Sequence, residues 1–237
     1  MKRHRLGQHY LVDQVLIHRI IAFAEITPTE RVLEIGTGKG ALTKELAGLG
    51  KSLVGYEVDG QNFAETTEAV WGTRARILRA DAFEQKPEFD VLVASLPYSE
   101  SASFVEWLST MEFDRAVVLL QEDFAKKILA PPGDRNYRGV SALVQIAFDA
   151  KILERVKRES FAPQPRVNSV IVSFMPRRRL SKGEGLSIMR LFSLRRRRVD
   201  SALAELGIKA HGSQGTRRVN SLRPEEVYEI CRLPGPE

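Results

Sequence analysis

The sequence predicts an α/β fold, a parallel sheet with helices on both faces followed by a small C-terminal helical domain. Three observations predict it. From Arg31 to Leu120, apolar runs of strand length alternate with helical stretches, the pattern of successive βαβ units. Four short motifs fall at the ends of those runs: Glu34-Ile-Gly-Thr-Gly-Lys-Gly40, Tyr56-Glu57-Val-Asp59, Ala80-Asp81-Ala82 and Ser95-Leu-Pro-Tyr98. Beyond Met175-Pro-Arg-Arg-Arg179 the spacing is helical and no strand-like run remains.

Arg31 to Ile35 reads as the first strand and Ala41 to Leu49 as the helix after it. Ser52 to Glu57 is the second strand, Gln61 to Val70 a helix, and Arg74 to Arg79 the third strand. Phe89 to Ala94 is the fourth, apolar through its centre as a strand covered on both faces must be. Ser103 to Met111 is helical, Arg115 to Leu120 a fifth strand, and Asp123 to Leu129 and Ser141 to Phe148 are helices. Lys151 to Val156 and Ser169 to Phe174 are two further strands. The segment between them, Phe161-Ala-Pro-Gln-Pro-Arg166, is expected to stay out of any sheet, because proline cannot donate to a ladder. Leu186 to Leu194, Val199 to Leu206 and Pro224 to Cys231 form the helical end, with Pro224 and two acids suited to a first helical turn. The domains are therefore read as residues 1–177 and 178–237.

A chain of 237 residues has room for one substantial core and a small appended domain. The net charge of +6 favours a polyanionic partner such as nucleic acid. The excess is concentrated late in the chain, in Arg177 to Arg179, Arg195 to Arg198, and Arg217 and Arg218. Cys231 is the lone cysteine, which excludes an intramolecular disulfide and a zinc–cysteine cluster and fits a reducing cytoplasm. No apolar run approaches the roughly 20 residues that span a bilayer. No metal site and no membrane association are expected, and nothing in the sequence calls for an obligate dimer.

The glycine string turns a strand into a helix, where positive φ and close approach of a ligand to the backbone are both needed. Glu57 follows Gly36 by 21 residues, where an acid grips ribose hydroxyls. The string alone fits a dinucleotide as well as S-adenosylmethionine. Glu34 before the first glycine, Asp81 at the end of the third strand, and the lack of a downstream hydride-transfer acid or base favour S-adenosylmethionine. Asp81 is placed to accept from an adenine amino group.

Ser95-Leu-Pro-Tyr98 ends the fourth strand, at the carboxyl edge where open sheets bind ligands. An exocyclic amine shares its lone pair with its ring, so an enzyme that methylates it must localise that pair and aim it at the methyl donor. Acceptors on the amine hydrogens do this: the side chain at position 95 and the backbone carbonyl of Leu96 or Pro97. Tyr98 is placed to stack on the base. Orientation then supplies most of the acceleration without a strong general base.

With these residues in hand, the chain resembles the ribosomal RNA adenine N6,N6-dimethyltransferases of the small subunit, relatives of the erythromycin-resistance methylases. The likeness takes in Leu6-Gly-Gln-His-Tyr-Leu11-Val-Asp-Gln14, similar to the family's Phe-Gly-Gln-Asn-Phe-Leu segment that closes over the cofactor, and the four motifs above. It also takes in Leu120-Gln-Glu122, Tyr137-Arg-Gly-Val-Ser141 and Phe161-Ala-Pro-Gln-Pro-Arg-Val167-Asn-Ser169. Phe192 to Leu203 is similar to a helix of the family's RNA-contacting domain. The resemblance implies a Rossmann-like class I methyltransferase sheet, with His9, Leu11, Gly36, Glu57, Asp81 and Ser95 lining the S-adenosylmethionine site. It implies that Ser95, Pro97, Tyr98 and Phe161 surround the target adenine, and that Arg195, Arg196, Arg197 and Arg198 contact RNA. The implied substrate is a pair of adjacent adenosines near the 3′ end of small-subunit rRNA, in a partly assembled particle, each receiving two methyl groups.

Two departures stand out. Ser95 replaces the family's asparagine, and a hydroxyl reaches less far than an amide oxygen; His9 replaces another asparagine near the cofactor. The alternatives are an assembly factor of the same fold with reduced or no activity, and an amino-methyltransferase with another target.

Overall fold

The structure, a computed structural model, describes residues 9–208 and 217–233. The basic start Met1 to Arg5 and the Leu6-Gly-Gln8 part of the first family segment lie outside the described residues.

The chain opens with a two-residue strand, β1 (Tyr10–Leu11), and α1 (Gln14–Ala24). Asp13 caps α1 by accepting from Leu16 N at 3.1 Å, which satisfies a donor the helix itself cannot. There follow β2 (Arg31–Ile35), α2 (Ala41–Leu46), β3 (Ser52–Tyr56), α3 (Gly60–Ala69), β4 (Ala75–Leu78), β5 (Val91–Ser95) and α4 (Ser101–Leu108). The rest comprises β6 (Arg115–Gln121), α5 (Glu122–Ile128), α6 (Gly139–Ala147), β7 (Phe148–Val156), β8 (Phe161–Ala162) and β9 (Ser169–Pro176). Three helices end it, α7 (Lys182–Ser193), α8 (Val199–Glu205) and α9 (Pro224–Cys231).

Seven strands form the main sheet in the order β4-β3-β2-β5-β6-β9-β7. The pairs from β4 to β6 are parallel, and β9 joins β6 antiparallel. The chain builds outward from β2 through β3 to β4, then returns to the other side of β2 with β5 and β6. The carboxyl ends of β2 and β5 therefore flank a topological switch point, where such sheets leave a crevice for ligands.

The chain divides into two compact units. The first, Met1–Phe104, Met111–Glu122 and Lys151–Met175, contains α1 to α3 and most of the sheet. Its core includes Leu16, Ile17 and Ile20 of α1 with Val32, Val91, Val93, Val117 and Ile171 of the strands. The second, Val105–Thr110, Asp123–Ala150 and Pro176–Glu237, contains α6 to α9. A boundary at 177/178 places Asp123 to Ala150 with the sheet; in the structure these residues fall in the second unit, where α6, buried along nearly its whole length, packs on α7 and α9. Within this unit Tyr137 meets Phe192 edge-on at 5.3 Å, and the Ser141 hydroxyl donates to the Lys127 carbonyl at 2.6 Å. Glu226 accepts from Arg223 N at 2.8 Å in the first turn of α9.

Three sequence expectations are corrected. Phe161 and Ala162 do pair, antiparallel with Leu11 and Tyr10, because pairing uses only the residues ahead of the first proline. The helix Gln14–Ala24 was not expected; its sequence is apolar at most positions, which blurs a helical period. Arg195 to Arg198 lie not on a helix but in the turn between α7 and α8, where Arg198 bridges Arg218. Among the described residues no helix is long and apolar enough to cross a membrane, and no group of three His, Cys, Asp or Glu could hold a metal ion.

One ion pair fixes the end of α1. Arg115, at the start of β6, grips both Glu30 oxygens at 2.7 and 2.8 Å and also donates to the carbonyls of Ala24 and Glu25, each at 2.6 Å. Glu25 sits at a left-handed φ of 47°, so the helix end turns sharply there. The two side chains are 17% and 15% exposed, and the Arg115 guanidinium pulls the Glu30 carboxyl down to about 2. Arg115→Met leaves the Glu30 charge and two carbonyls without their donor, and should destabilise the fold by roughly 2–4 kcal/mol in urea unfolding. The Glu30 contribution is fully present above its unfolded value near 4.5 and is lost as pH falls toward about 2. The gap between wild type and Arg115→Met should therefore narrow across that acid range.

Candidate functional site

The four motifs converge on one cavity of about 300 Å³ at the carboxyl ends of β2, β3 and β5. Its walls include all ten residues expected to bind cofactor or target: His9, Leu11, Gly36, Glu57, Asp81, Ser95, Pro97, Tyr98 and Phe161, together with Glu34.

The glycine loop forms the floor. Gly36 N donates to the Tyr56 carbonyl at 2.8 Å, so the loop is laid over the end of β3. Gly38 has φ +53°, and a Cβ there would stand 3.3 Å from the Tyr10 ring, so a side chain at this position would be both strained and crowded. Thr66 of α3 donates to the Gly38 carbonyl at 2.7 Å, and the Tyr10 hydroxyl donates to Asn62 Oδ1 at 3.3 Å. Tyr10 thus braces the loop from the N-terminal segment, a role missed in the sequence. The signal was present, since Tyr10 stands one residue before Leu11 in the segment expected to close over a cofactor.

Glu57 is 4% exposed. One carboxylate oxygen accepts from Gly38 N at 2.8 Å and the other from Asp59 N at 2.9 Å. Burial pushes its pKa up, and these amide donors oppose that. A carboxylate has more acceptor sites than these bonds fill, so capacity remains for a ribose diol. Asp81 is exposed; one oxygen accepts from Phe83 N at 2.9 Å, which fixes the side chain at the rim.

Glu34 is 1% exposed, and its Oε2 has no hydrogen-bond partner among the described residues. Burial pushes its carboxyl up to about 8, opposed by Thr43 and reinforced by the charge of Glu57. A buried carboxyl with one oxygen left unpartnered fits a ligand that brings a cationic or hydrogen-bonding group.

The opposite wall is the turn after β5. Ser95 is partly exposed, and Leu96 is buried. The Pro97 carbonyl accepts from Glu100 N at 3.0 Å inside a 3-10 turn. Of the two carbonyls expected to face an amine, only that of Leu96 is without a backbone donor among the described residues. The Tyr98 hydroxyl shares a 2.6 Å hydrogen bond with Ser169 Oγ, and burial pushes its pKa up. The His9 ring lies 5.7 Å from the Tyr98 ring at 33°, and His9 Nδ1 is 2.7 Å from the Pro163 carbonyl. Phe161 is buried in the core beside Leu11, with part of its ring in the cavity wall. The tract Arg195 to Arg198 belongs to the second unit; Arg196 to Arg198 are exposed, and Arg197 pairs with Glu205 at 2.6 Å.

The comparisons with known proteins agree with this geometry. The family described as ribosomal RNA adenine dimethylase matches residues 1–226. The chain belongs to this family. A Pyrococcus abyssi protein named as a probable ribosomal RNA small subunit methyltransferase A is 36% identical over 95% of the chain and 89% of its own length. Among solved structures, a dimethyladenosine transferase from Plasmodium falciparum superposes with a TM-score of 0.81 at 24% identity, covering 94% of this chain and 96% of its own, and shares the fold. The 23S rRNA methyltransferase ErmE matches with a TM-score of 0.67 at 26% identity, over 94% of this chain and 98% of its own.

The buried Glu34 gives a pH test of the empty-handed protein. A carboxyl whose folded pKa is raised contributes stability below its unfolded value near 4.5 that is lost as pH rises through about 8. Glu34→Gln keeps the neutral form at every pH. The variant should melt close to wild type at pH 4 and above it at pH 9; equal melting at both would show that Glu34 ionises without cost.

Proposed function

We propose that the protein transfers methyl groups from S-adenosylmethionine to N6 of two adjacent adenosines near the 3′ end of small-subunit rRNA, giving N6,N6-dimethyladenosine during ribosome biogenesis. The observation that carries the reading is the single cavity in which the glycine loop, Glu57 and Asp81 face the Ser95–Tyr98 turn. Family membership supports the reaction class, and the basic second unit supports an RNA substrate.

When bound, S-adenosylmethionine supplies an electrophilic methyl on a sulfonium centre. Glu57 receives the ribose hydroxyls while holding the glycine loop by its amide. Asp81 uses its second oxygen for the adenine amino group. The unpartnered Oε2 of Glu34 receives the cationic methionine end, directly or through water. Leu11 and Gly36 close the pocket against solvent.

On the target side, Ser95 and the Leu96 carbonyl accept the two N6 hydrogens, which draws the lone pair out of the ring system and toward the methyl. Pro97 sets the turn rigidly, Tyr98 stacks on the base, and Phe161 bounds it from the other wall. The excess proton leaves to solvent after transfer. Arg195, Arg196, Arg197 and Arg198 contact phosphates. The protein is read as a cytoplasmic monomer that acts on a partly assembled subunit.

Incubation with undermethylated small-subunit particles and S-adenosylmethionine, followed by nucleoside mass spectrometry, tests the reading: N6,N6-dimethyladenosine is expected. Tyr98→Ala should lower the transfer rate at least about 10-fold, the loss of an aromatic stack, while cofactor affinity stays within about 2-fold. Ser95→Asn should stay active. If wild type is inert and Ser95→Asn methylates, the protein is an assembly factor with a decayed site. Replacing Arg196 and Arg198 by Ala should weaken binding to the particle and flatten its salt dependence by about one to two in logarithmic slope. An unchanged slope would remove this turn from the RNA interface.

A further inference from the structure

His9 stands apart from the other residues assigned to the cofactor. Its only hydrogen bond among the described residues runs from Nδ1 to the Pro163 carbonyl at 2.7 Å. A carbonyl can only accept, so Nδ1 carries a proton. The face of the ring lies against Tyr98, at 5.7 Å between centroids and 33° between planes. Both contacts belong to the walls assigned to the target base. Tyr98 forms one wall, and Pro163 follows Phe161 by two residues in the other.

Tyr98 is anchored at its hydroxyl by Ser169. Phe161 is anchored behind by its pairing with Leu11, but the loop beyond it, from Pro163 to Arg166, is largely exposed and belongs to no strand. A base held between two rings needs a fixed separation between them, close to the thickness of one aromatic layer on each side.

We propose that His9 is a positioning residue for the target adenine, bridging Tyr98 and the Phe161–Pro163 loop so that both walls are set before the base enters. This rests on the reading of the cavity as an adenine N6-methyltransferase site. His9 lines the shared cavity, and its two contacts are separable by substitution. Phenylalanine keeps a ring against Tyr98 and loses the donor. Asparagine keeps a donor for the Pro163 carbonyl and loses the ring. Alanine loses both.

The test measures methyl transfer to undermethylated particles at saturating S-adenosylmethionine for wild type, His9→Phe, His9→Asn and His9→Ala, with cofactor affinity measured separately by calorimetry. A hydrogen bond or an aromatic contact is each a matter of several-fold. His9→Ala should therefore lower the transfer rate about 10-fold or more, and His9→Phe and His9→Asn should each fall between it and wild type. Cofactor affinity should stay within about 2-fold in all three. A loss of cofactor affinity that accounts for the lower activity would overturn the inference and make His9 a cofactor ligand. Full activity in His9→Ala would overturn it as well. Wild type that binds cofactor but methylates no adenosine would bring down the functional reading itself, and this inference with it.

Discussion

A buried carboxylate must find donors, and in this fold Glu57 finds them in the backbone. At 4% exposure it cannot rely on water, so the amides of Gly38 and Asp59 come to it. The Gly38 bond joins the loop after β2 to the end of β3, and the Asp59 bond closes a local turn there. The glycine loop is thereby held over the sheet edge by the residue expected to grip the ligand. Thr66 completes the arrangement from α3 by donating to the carbonyl of the same glycine. The site is not appended to the sheet; it is how the strand ends satisfy their polar groups.

The second constraint is the stitching of the N-terminal segment to the element before β9. Val12 N donates to the Ser160 carbonyl at 3.0 Å, Ser160 Oγ donates to Asp13 at 2.8 Å, and Leu11 and Tyr10 pair with Phe161 and Ala162. The hydroxyl of Ser160 holds the Asp13 carboxyl below the usual range, which keeps the α1 cap ionised. Tyr10 faces the glycine loop while Leu11 sits beside Phe161. Neighbouring residues of one extended strand point to opposite sides. The two-residue strand therefore sends one side chain to the glycine loop and the next to Phe161.

What was legible in the sequence was local. β2 was read to the residue, and β3 and β6 to within one, because a buried parallel strand is a bounded apolar run. Gly36, Glu57, Asp81 and Ser95 were legible because each sits at a strand end, and strand ends share one edge. The pairing of Leu11 with Phe161 was not: it joins residues far apart in sequence, through strands too short to show a period. Nor was Tyr10, whose task depends on where α1 directs the segment. The arginine tract was legible as charge but not as shape. It lies in a turn because Leu194 ends α7 and Arg198 pairs with Arg218 across a separation that spacing does not report.

The same logic narrows the question of Ser95. With the Pro97 carbonyl engaged by Glu100 N, the turn offers the Leu96 carbonyl and one hydroxyl to an amine. A backbone carbonyl is held by the rigid turn and cannot follow a misplaced base. A serine hydroxyl rotates but is short, and it is donor as well as acceptor. On the proposed reading, the base must therefore be brought to the acceptors, and the walls must do more of the orienting than they would beside a longer amide. Tyr98 is fixed at its hydroxyl by Ser169, from a strand on the far side of β6, and its ring lies against His9. On the proposed reading, precision lost at position 95 is recoverable through the aromatic wall, which would make the supports of Tyr98 part of the chemistry.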